Sequence, residues 1–349
     1  MVKRITILLN SNTEGAGLNR IRLCAKGFEE LGIEVQWIYL LDKNLKYKVF
    51  QLANFFVQCI KLLFLKNRKI WVYGHKPSFV LKLIKSNNLI FERTEYPLQL
   101  IQSDSNKKED LNNYKYASKF ISCSDALINY YKGYTHDSCE FIKVPAVVDY
   151  NKFSKTDMTS PLGEREYIAY CGDMNNNKDG IYDLLKAFAL ISKQFSSISL
   201  CLIGSASKTE LAKIQATVKD LDIVDRVHFT GRIPHSEMPT YLFHAKLVAL
   251  ARPDNKQAEG GFPSKLAEYL STGTPTLVTK VGEIPLYIKH NINGFLSEPS
   301  NPELFAKNIA IILKDYDKAK QVARAGQQLA INEFAYKAKS KLLADFIFN

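Results

Sequence analysis

The chain alternates two hydrophobic rhythms. Short apolar runs, each the length of a buried strand, are followed by longer segments in which apolar residues recur every three or four positions. In the first half, the strand-like runs are residues 5–9, 34–40, 70–73, 89–91, 120–122 and 141–144. Helical patterns lie between them, as at 16–31, which Gly32 ends, and at 124–131. Residues 145–161 lose both rhythms, are bounded by prolines and read as a linker. The alternation then resumes, with strand-like runs at 167–170, 199–203, 227–230, 247–249 and 276–278. Helical patterns accompany them at 181–195, 209–221, 264–270, 302–313 and 319–334. Strands alternating with helices predict two doubly wound α/β domains in tandem, with a cleft between them. Ligands in such sheets bind beyond the C-terminal ends of the strands.

The length of 349 residues suits two domains at the usual ~100–200 residues each. No uninterrupted apolar stretch reaches the ~20 residues that span a bilayer. The first apolar run is too short for a secretory signal. The six cysteines form no Cys-x-x-Cys pair and have no histidine cluster near them, which argues against zinc and against a disulfide framework. Reduced cysteines in apolar segments fit a cytoplasmic protein.

The net charge of +12 changes the picture because it is unevenly placed. Residues 1–150 carry a net +8, and residues 43–91 contain ten Lys/Arg with no acid. A basic surface attracts phosphate-bearing partners. Within that interval, residues 49–66 combine many apolar side chains with Lys61 and Lys66. Two readings stay open: a basic amphipathic helix on an anionic membrane, or an ordinary core helix.

The richest candidate chemistry is Glu259-Gly-Gly-Phe-Pro-Ser-Lys-Leu-Ala-Glu268, which follows the run 247–249. Two glycines allow close backbone approach to a ligand. Pro263 suits a first helical position. The free N–H groups of a helix opening near Ser264 offer an anion site. Glu268 lies about one turn further in. A second candidate, Gly172-Asp-Met-Asn-Asn-Asn-Lys178-Asp-Gly180, follows the strand 167–170. A third, Gly15-Ala-Gly17, follows the first strand, but Arg20 stands where a dinucleotide fingerprint has its third glycine. Gly74-His75 and Glu92-Arg93-Thr94-Glu95 follow two further strands of the first half.

In these segments the chain resembles the family-4 (group 1) retaining glycosyltransferases of GT-B fold. That family has Glu-x7-Glu before Gly-x-Pro; here the second glutamate is Glu268, and Gly273-Thr274-Pro275 follows. Glu259 stands nine residues before Glu268, with Gly260 at the family position. The segments Ile121-Ser-Cys-Ser124, Val144-Pro-Ala-Val-Val-Asp149 and Gly231-Arg232-Ile233-Pro234 extend the resemblance over nearly the whole chain.

The resemblance implies a GT-B fold: two Rossmann-like doubly wound α/β domains facing each other across a cleft. Residues 1–150 would be an acceptor-binding domain and 161–330 a nucleotide-sugar-binding domain, with a helix in 331–349 packing back on the first. Glu268 would hold the donor ribose, the backbone from Gly260, Gly261 and Phe262 through Pro263, Ser264 and Lys265 would face the donor sugar, and Arg232-Ile233 would hold the base. Gly15, Gly17 and Gly172 would line the donor phosphates. Lys178 matches the family's phosphate-binding lysine. Asp173 stands where the family has an arginine, which makes Arg252 the candidate for the missing charge. Lys178, Arg252 and Glu259 are thus the expected catalytic residues, and His75, Glu92, Thr94 and Glu95 the acceptor side.

The implied reaction moves a sugar from a nucleotide-diphosphate sugar to a hydroxyl of a glycan or lipid-linked acceptor in cell-surface polysaccharide synthesis. The expected place is the cytoplasm, with the inner face of the plasma membrane left open. No carboxylate cluster suggests a metal, and no cofactor is implied beyond the co-substrate. The alternative is a catalytically decayed GT-B module that binds nucleotide sugars or a partner. A nucleic-acid binder lacks the aromatic–basic interleaving it needs, and the incomplete glycine motif argues against a dehydrogenase.

Overall fold

In a computed structural model of the chain, the residues described are 2–11, 16–41, 44–45, 47–65, 68–74, 78–84, 88–101, 109–153 and 159–349. They form two compact units. One comprises Met1–Val147, Gly260–Phe262 and Tyr336–Asn349; the other comprises Val148–Glu259 and Pro263–Ala335.

The first unit holds β1 (Arg4–Ser11), β2 (Glu34–Leu41), β3 (Lys69–Tyr73), β4 (Leu89–Arg93), β5 (Lys119–Ser122) and β6 (Glu140–Lys143). They form one sheet in the order β2-β1-β3-β4-β5-β6, paired in parallel throughout. Successive strand residues point to opposite faces. Leu8, Ile70 and Val72 therefore join one apolar cluster, and Ile7, Leu9 and Trp71 the other. The second cluster is roofed by the helix Ala16–Glu30 and by Tyr336–Phe348, which supplies Leu343 and Ile347. The two helices approach closely because residue 27 is glycine: a Cβ there would lie 2.2 Å from the Ser340 Oγ. Ser340 donates to the Cys24 carbonyl at 3.2 Å, and the Tyr336 hydroxyl to Glu30 at 2.7 Å.

The second unit holds β7 (Glu166–Cys171), β8 (Ile198–Ile203), β9 (Val227–Gly231), β10 (Leu247–Leu250), β11 (Thr276–Thr279) and β12 (Phe295–Ser297). Their order is β12-β11-β10-β7-β8-β9, again parallel throughout. The strand order reverses between β7 and β10, which is where open α/β sheets bind ligands. In the first unit the reversal lies between β1 and β3.

Three elements differ from the sequence reading. β12 has only three residues, too short for a rhythm to show. Residues 256–260, outside every helical pattern of the sequence, form a short helix at whose start the Asn255 side chain accepts the Ala258 N–H at 2.8 Å. The start of the expected linker is buried rather than polar: Val147, Val148 and Asp149 are all enclosed, and the Val148 N–H donates to the Phe334 carbonyl at 2.8 Å.

Candidate active site

The site in the second unit is built at the β7–β10 reversal. β7 ends at Cys171, whose N–H and carbonyl both bond to the Tyr269 hydroxyl, at 2.8 and 3.0 Å. Tyr269 is fully buried, so this pair fixes the helix Ser264–Ser271 against the end of β7. Pro263 is the N-cap of that helix, one place earlier than expected, and the first free N–H groups belong to Ser264 and Lys265. Gly172 follows β7 without a side chain for a physical reason: a Cβ there would lie 2.7 Å from the Lys265 Nζ.

The loop from Gly172 to Gly180 then turns back over β10. Gly180 has φ +72°, and a Cβ on it would lie 1.8 Å from the Ala251 carbonyl oxygen. Just before it, Asp179 is buried, although no sequence argument singled it out. Lys265 donates to its Oδ2, and so does the Tyr170 hydroxyl at 2.8 Å. The Arg252 Nε is 3.9 Å from Oδ1. Burial alone would raise the Asp179 carboxyl, but Lys265, Arg252 and Tyr170 together hold it below its ordinary value. An acid inside a phosphate-type loop, between Lys178 and Gly180, is the one sequence feature that could have pointed to this cluster.

Arg252 thus reaches the expected end of the sheet but is only 2% exposed. It faces Asp179 from within. Lys178 closes a short turn at Asn175–Asn177 and is half-buried. Asp173 is exposed; its carboxylate accepts the Asn175 backbone N–H at 2.9 Å and side-chain amide at 2.6 Å. It shapes the loop.

Glu268 lies in the same helix as Lys265. Burial lifts its carboxyl to about 7, against the opposing pull of Lys265. The imidazole of His235, from the loop after β9, comes within 3.9 Å of it. Arg232 and Ile233 start that loop, which leaves β9 at Gly231 with φ +68°. His235 was not foreseen, because a lone histidine two residues past Gly231-Arg232-Ile233 carries no spacing signal.

Other expected residues are placed elsewhere. Glu259 is in the short helix Lys256–Gly260 and pairs with Lys256 at 2.8 Å, both about half exposed. Gly260, Gly261 and Phe262 pack with the first unit. There the Gly260 carbonyl accepts the Ser124 hydroxyl at 2.6 Å, and a Cβ on Gly260 would lie 2.5 Å from the Tyr96 ring. Phe262 lies against the apolar cluster that contains Leu127.

In the first unit, Gly17 sits where a Cβ would lie 2.0 Å from the Tyr73 hydroxyl, which itself reaches Thr94 at 3.5 Å. Arg20 is no failed glycine: its guanidinium pairs with Glu92 at 2.6 Å and donates to the Val144 carbonyl at 2.7 Å. Glu92 is completely buried in this pair. Burial raises its carboxyl above the ordinary value despite Arg20. Glu95 is half-buried, and its carbonyl accepts the Tyr131 hydroxyl at 3.1 Å. Gly15 and His75 lie outside the described residues.

Two Rossmann-like parallel sheets, each with candidate residues at its strand-order reversal, define the GT-B class. Solved structures agree: sucrose-phosphate synthase from Thermosynechococcus elongatus matches with TM-score 0.77 at 17% identity, over 99% of this chain and 98% of that one. HepE from Anabaena, solved with UDP and glucose, matches with TM-score 0.72 at 17% identity, over 99% of each chain. Residues 156–329 match the family described as "Glycosyl transferases group 1", and the chain belongs to that family. A curated relative is the GDP-mannose-dependent alpha-(1-6)-phosphatidylinositol monomannoside mannosyltransferase of Mycobacterium tuberculosis, 24% identical over 190 residues, 53% of this chain and 48% of the relative. The chain thus spans about half the length of the curated relatives it matches.

Proposed function

We propose that this protein is a retaining glycosyltransferase. It takes a sugar from a nucleoside-diphosphate sugar and delivers it to a hydroxyl of a glycan or lipid-linked glycan, in building cell-surface polysaccharide. The observation that carries this reading is the meeting of the Lys178 loop, the Ser264–Ser271 helix start and Glu268 at the end of one parallel sheet. HepE, which shares the fold, was solved with UDP, and the mycobacterial relative is named for a GDP-mannose donor. Both suit a nucleotide in this place.

In the proposed reaction the diphosphate lies against the N–H groups of Ser264 and Lys265, with Lys178 beside it. As the bond from the anomeric carbon to the phosphate oxygen breaks, these groups stabilise the charge left on that oxygen. Arg252 is a positioning residue, holding Asp179 and through it Lys265. Glu268 accepts from the ribose hydroxyls, and Arg232-Ile233 flank the base. The acceptor hydroxyl, bound by the first unit near Thr94 and Glu95, bonds to the anomeric carbon on the face that the phosphate leaves, and its proton passes to the departing phosphate oxygen. No residue here is assigned to a metal.

The test is transfer by Lys178→Ala and Glu268→Ala with folding monitored by circular dichroism. Both should lose transfer while remaining folded; full activity in both rejects the site. Asp173, standing where the family has an arginine, favours a second reading: a GT-B module that binds nucleotide sugars without turnover. Thermal stabilisation by UDP or GDP with no hydrolysis of any sugar donor would select that reading.

A further inference from the structure

The helix Lys48–Leu63 is turned the wrong way for a soluble surface. Val49, Leu52, Phe56, Ile60 and Leu63 recur at spacings of three and four and make one continuous stripe. All five point outward, as does Phe50; Leu52, Phe56 and Ile60 are each more than half exposed. Phe64, just past the helix, is 80% exposed. On the opposite side only Cys59 and Leu62 are buried, with Phe55 packed against the core. Gln51, Asn54 and Gln58 are only half-exposed and are used locally. Gln58 donates to Asn54 at 3.0 Å, and Gln51 to the Leu45 carbonyl at 2.9 Å. A surface helix normally shows solvent its polar side; here it shows its apolar one, over four turns.

We propose that this face lies on an anionic lipid bilayer, with the helix parallel to the surface. Charge selects the occupant. The interval 43–91 carries ten Lys/Arg and no Asp or Glu. Lys48 and Lys61 are exposed on the helix itself, and a helix in such a basic interval is drawn to phosphate headgroups while the apolar stripe enters the acyl boundary. A second copy of the chain is disfavoured, because a two-fold contact would set two acid-free basic intervals against each other. The helix does not cross: no helix among the described residues is long and apolar enough to do so. The proposal stands on this helix alone and does not depend on the transfer reading.

The test uses the full chain and two sets of vesicles, one of phosphatidylcholine alone and one with about a third phosphatidylglycerol. The protein should sediment with the anionic vesicles, less with the neutral ones, and less in high salt. The triple variant Leu52→Ser, Phe56→Ser, Ile60→Ser should partition at least about tenfold more weakly with an unchanged melting temperature, since these side chains are exposed. Should that variant fold poorly, Phe56→Trp serves instead: its added emission should move to shorter wavelength on anionic vesicles. Failure to sediment with the anionic vesicles, or an unmoved emission, overturns the proposal. So does a dimer that the triple variant dissociates, in protein that ignores vesicles; that result assigns the face to a second copy.

Discussion

Lys265, in the first turn of its helix, donates to the buried carboxylate of Asp179 across 86 positions of sequence. Asp179 faces Arg252 as well, so one acid sets the positions of two cations at the end of β7. The neighbouring Asp173 is exposed; its carboxylate accepts from Asn175 and its carbonyl from the Tyr170 hydroxyl at 3.0 Å. Two acids six residues apart therefore have opposite stakes. Asp179→Ala should cost roughly 3–5 kcal/mol, because it strands buried positive charge. Asp173→Ala should cost about 1 kcal/mol or less. Urea unfolding of the two variants measures the difference; equal costs would remove Asp179 from the account.

Gly180 combines a left-handed backbone with a carbonyl 1.8 Å from its missing Cβ. Gly180→Ala should lower stability by about 2 kcal/mol or more, from backbone strain and overpacking together. Donor binding should weaken with it, because the Lys178 loop cannot close over β10. Chemical denaturation with a nucleotide titration reads both effects.

The Glu268 carboxyl has an ordinary value of 4.5 and is lifted by burial to about 7 in the folded chain. Between those values the folded chain keeps a proton that the unfolded chain has lost. Stability from this group is therefore greatest at the acid end and falls as the pH rises through the window. The fall should be on the order of 2 kcal/mol, and Glu268→Gln should lack it. If the ionised carboxylate accepts from the ribose, nucleotide affinity in the wild type should rise relative to Glu268→Gln as the pH passes 7. Melting curves and titrations of both proteins at several pH values test this; parallel pH profiles would contradict it.

Much of this arrangement was legible beforehand. Eleven of the twelve strands announce themselves as apolar runs, because a sheet buried on both faces leaves little room for polar residues. The helix start at Ser264 was legible from its glycines and proline, whereas Lys178 and Glu268 were singled out by the family resemblance. What spacing does not carry is pairing between distant positions. Arg20 looked like a missing glycine because its partner Glu92 is 72 positions away. Asp179 was not singled out for the same reason: its partner Lys265 is 86 positions away. The helix Lys48–Leu63 was legible as amphipathic, but periodicity does not say which face turns outward, and only packing decides that.

The Arg20–Glu92 pair yields a prediction of its own. Both side chains are buried, so Arg20→Met alone should cost roughly 3–5 kcal/mol by leaving the carboxylate unpaired. Arg20→Met with Glu92→Leu should recover a large part of that loss. Denaturant unfolding of the two single variants and the double variant measures the coupling; simple additivity would show that the pair holds nothing together.

The most direct measurement is hydrolysis of a panel of UDP- and GDP-sugars by the wild-type chain, with the released sugar followed by proton NMR. The account predicts turnover of at least one donor, with the sugar released in the donor's own anomeric configuration. It also predicts a loss of about 100-fold or more in Lys178→Ala. Release with inverted configuration, or the same rate in Lys178→Ala, would contradict it.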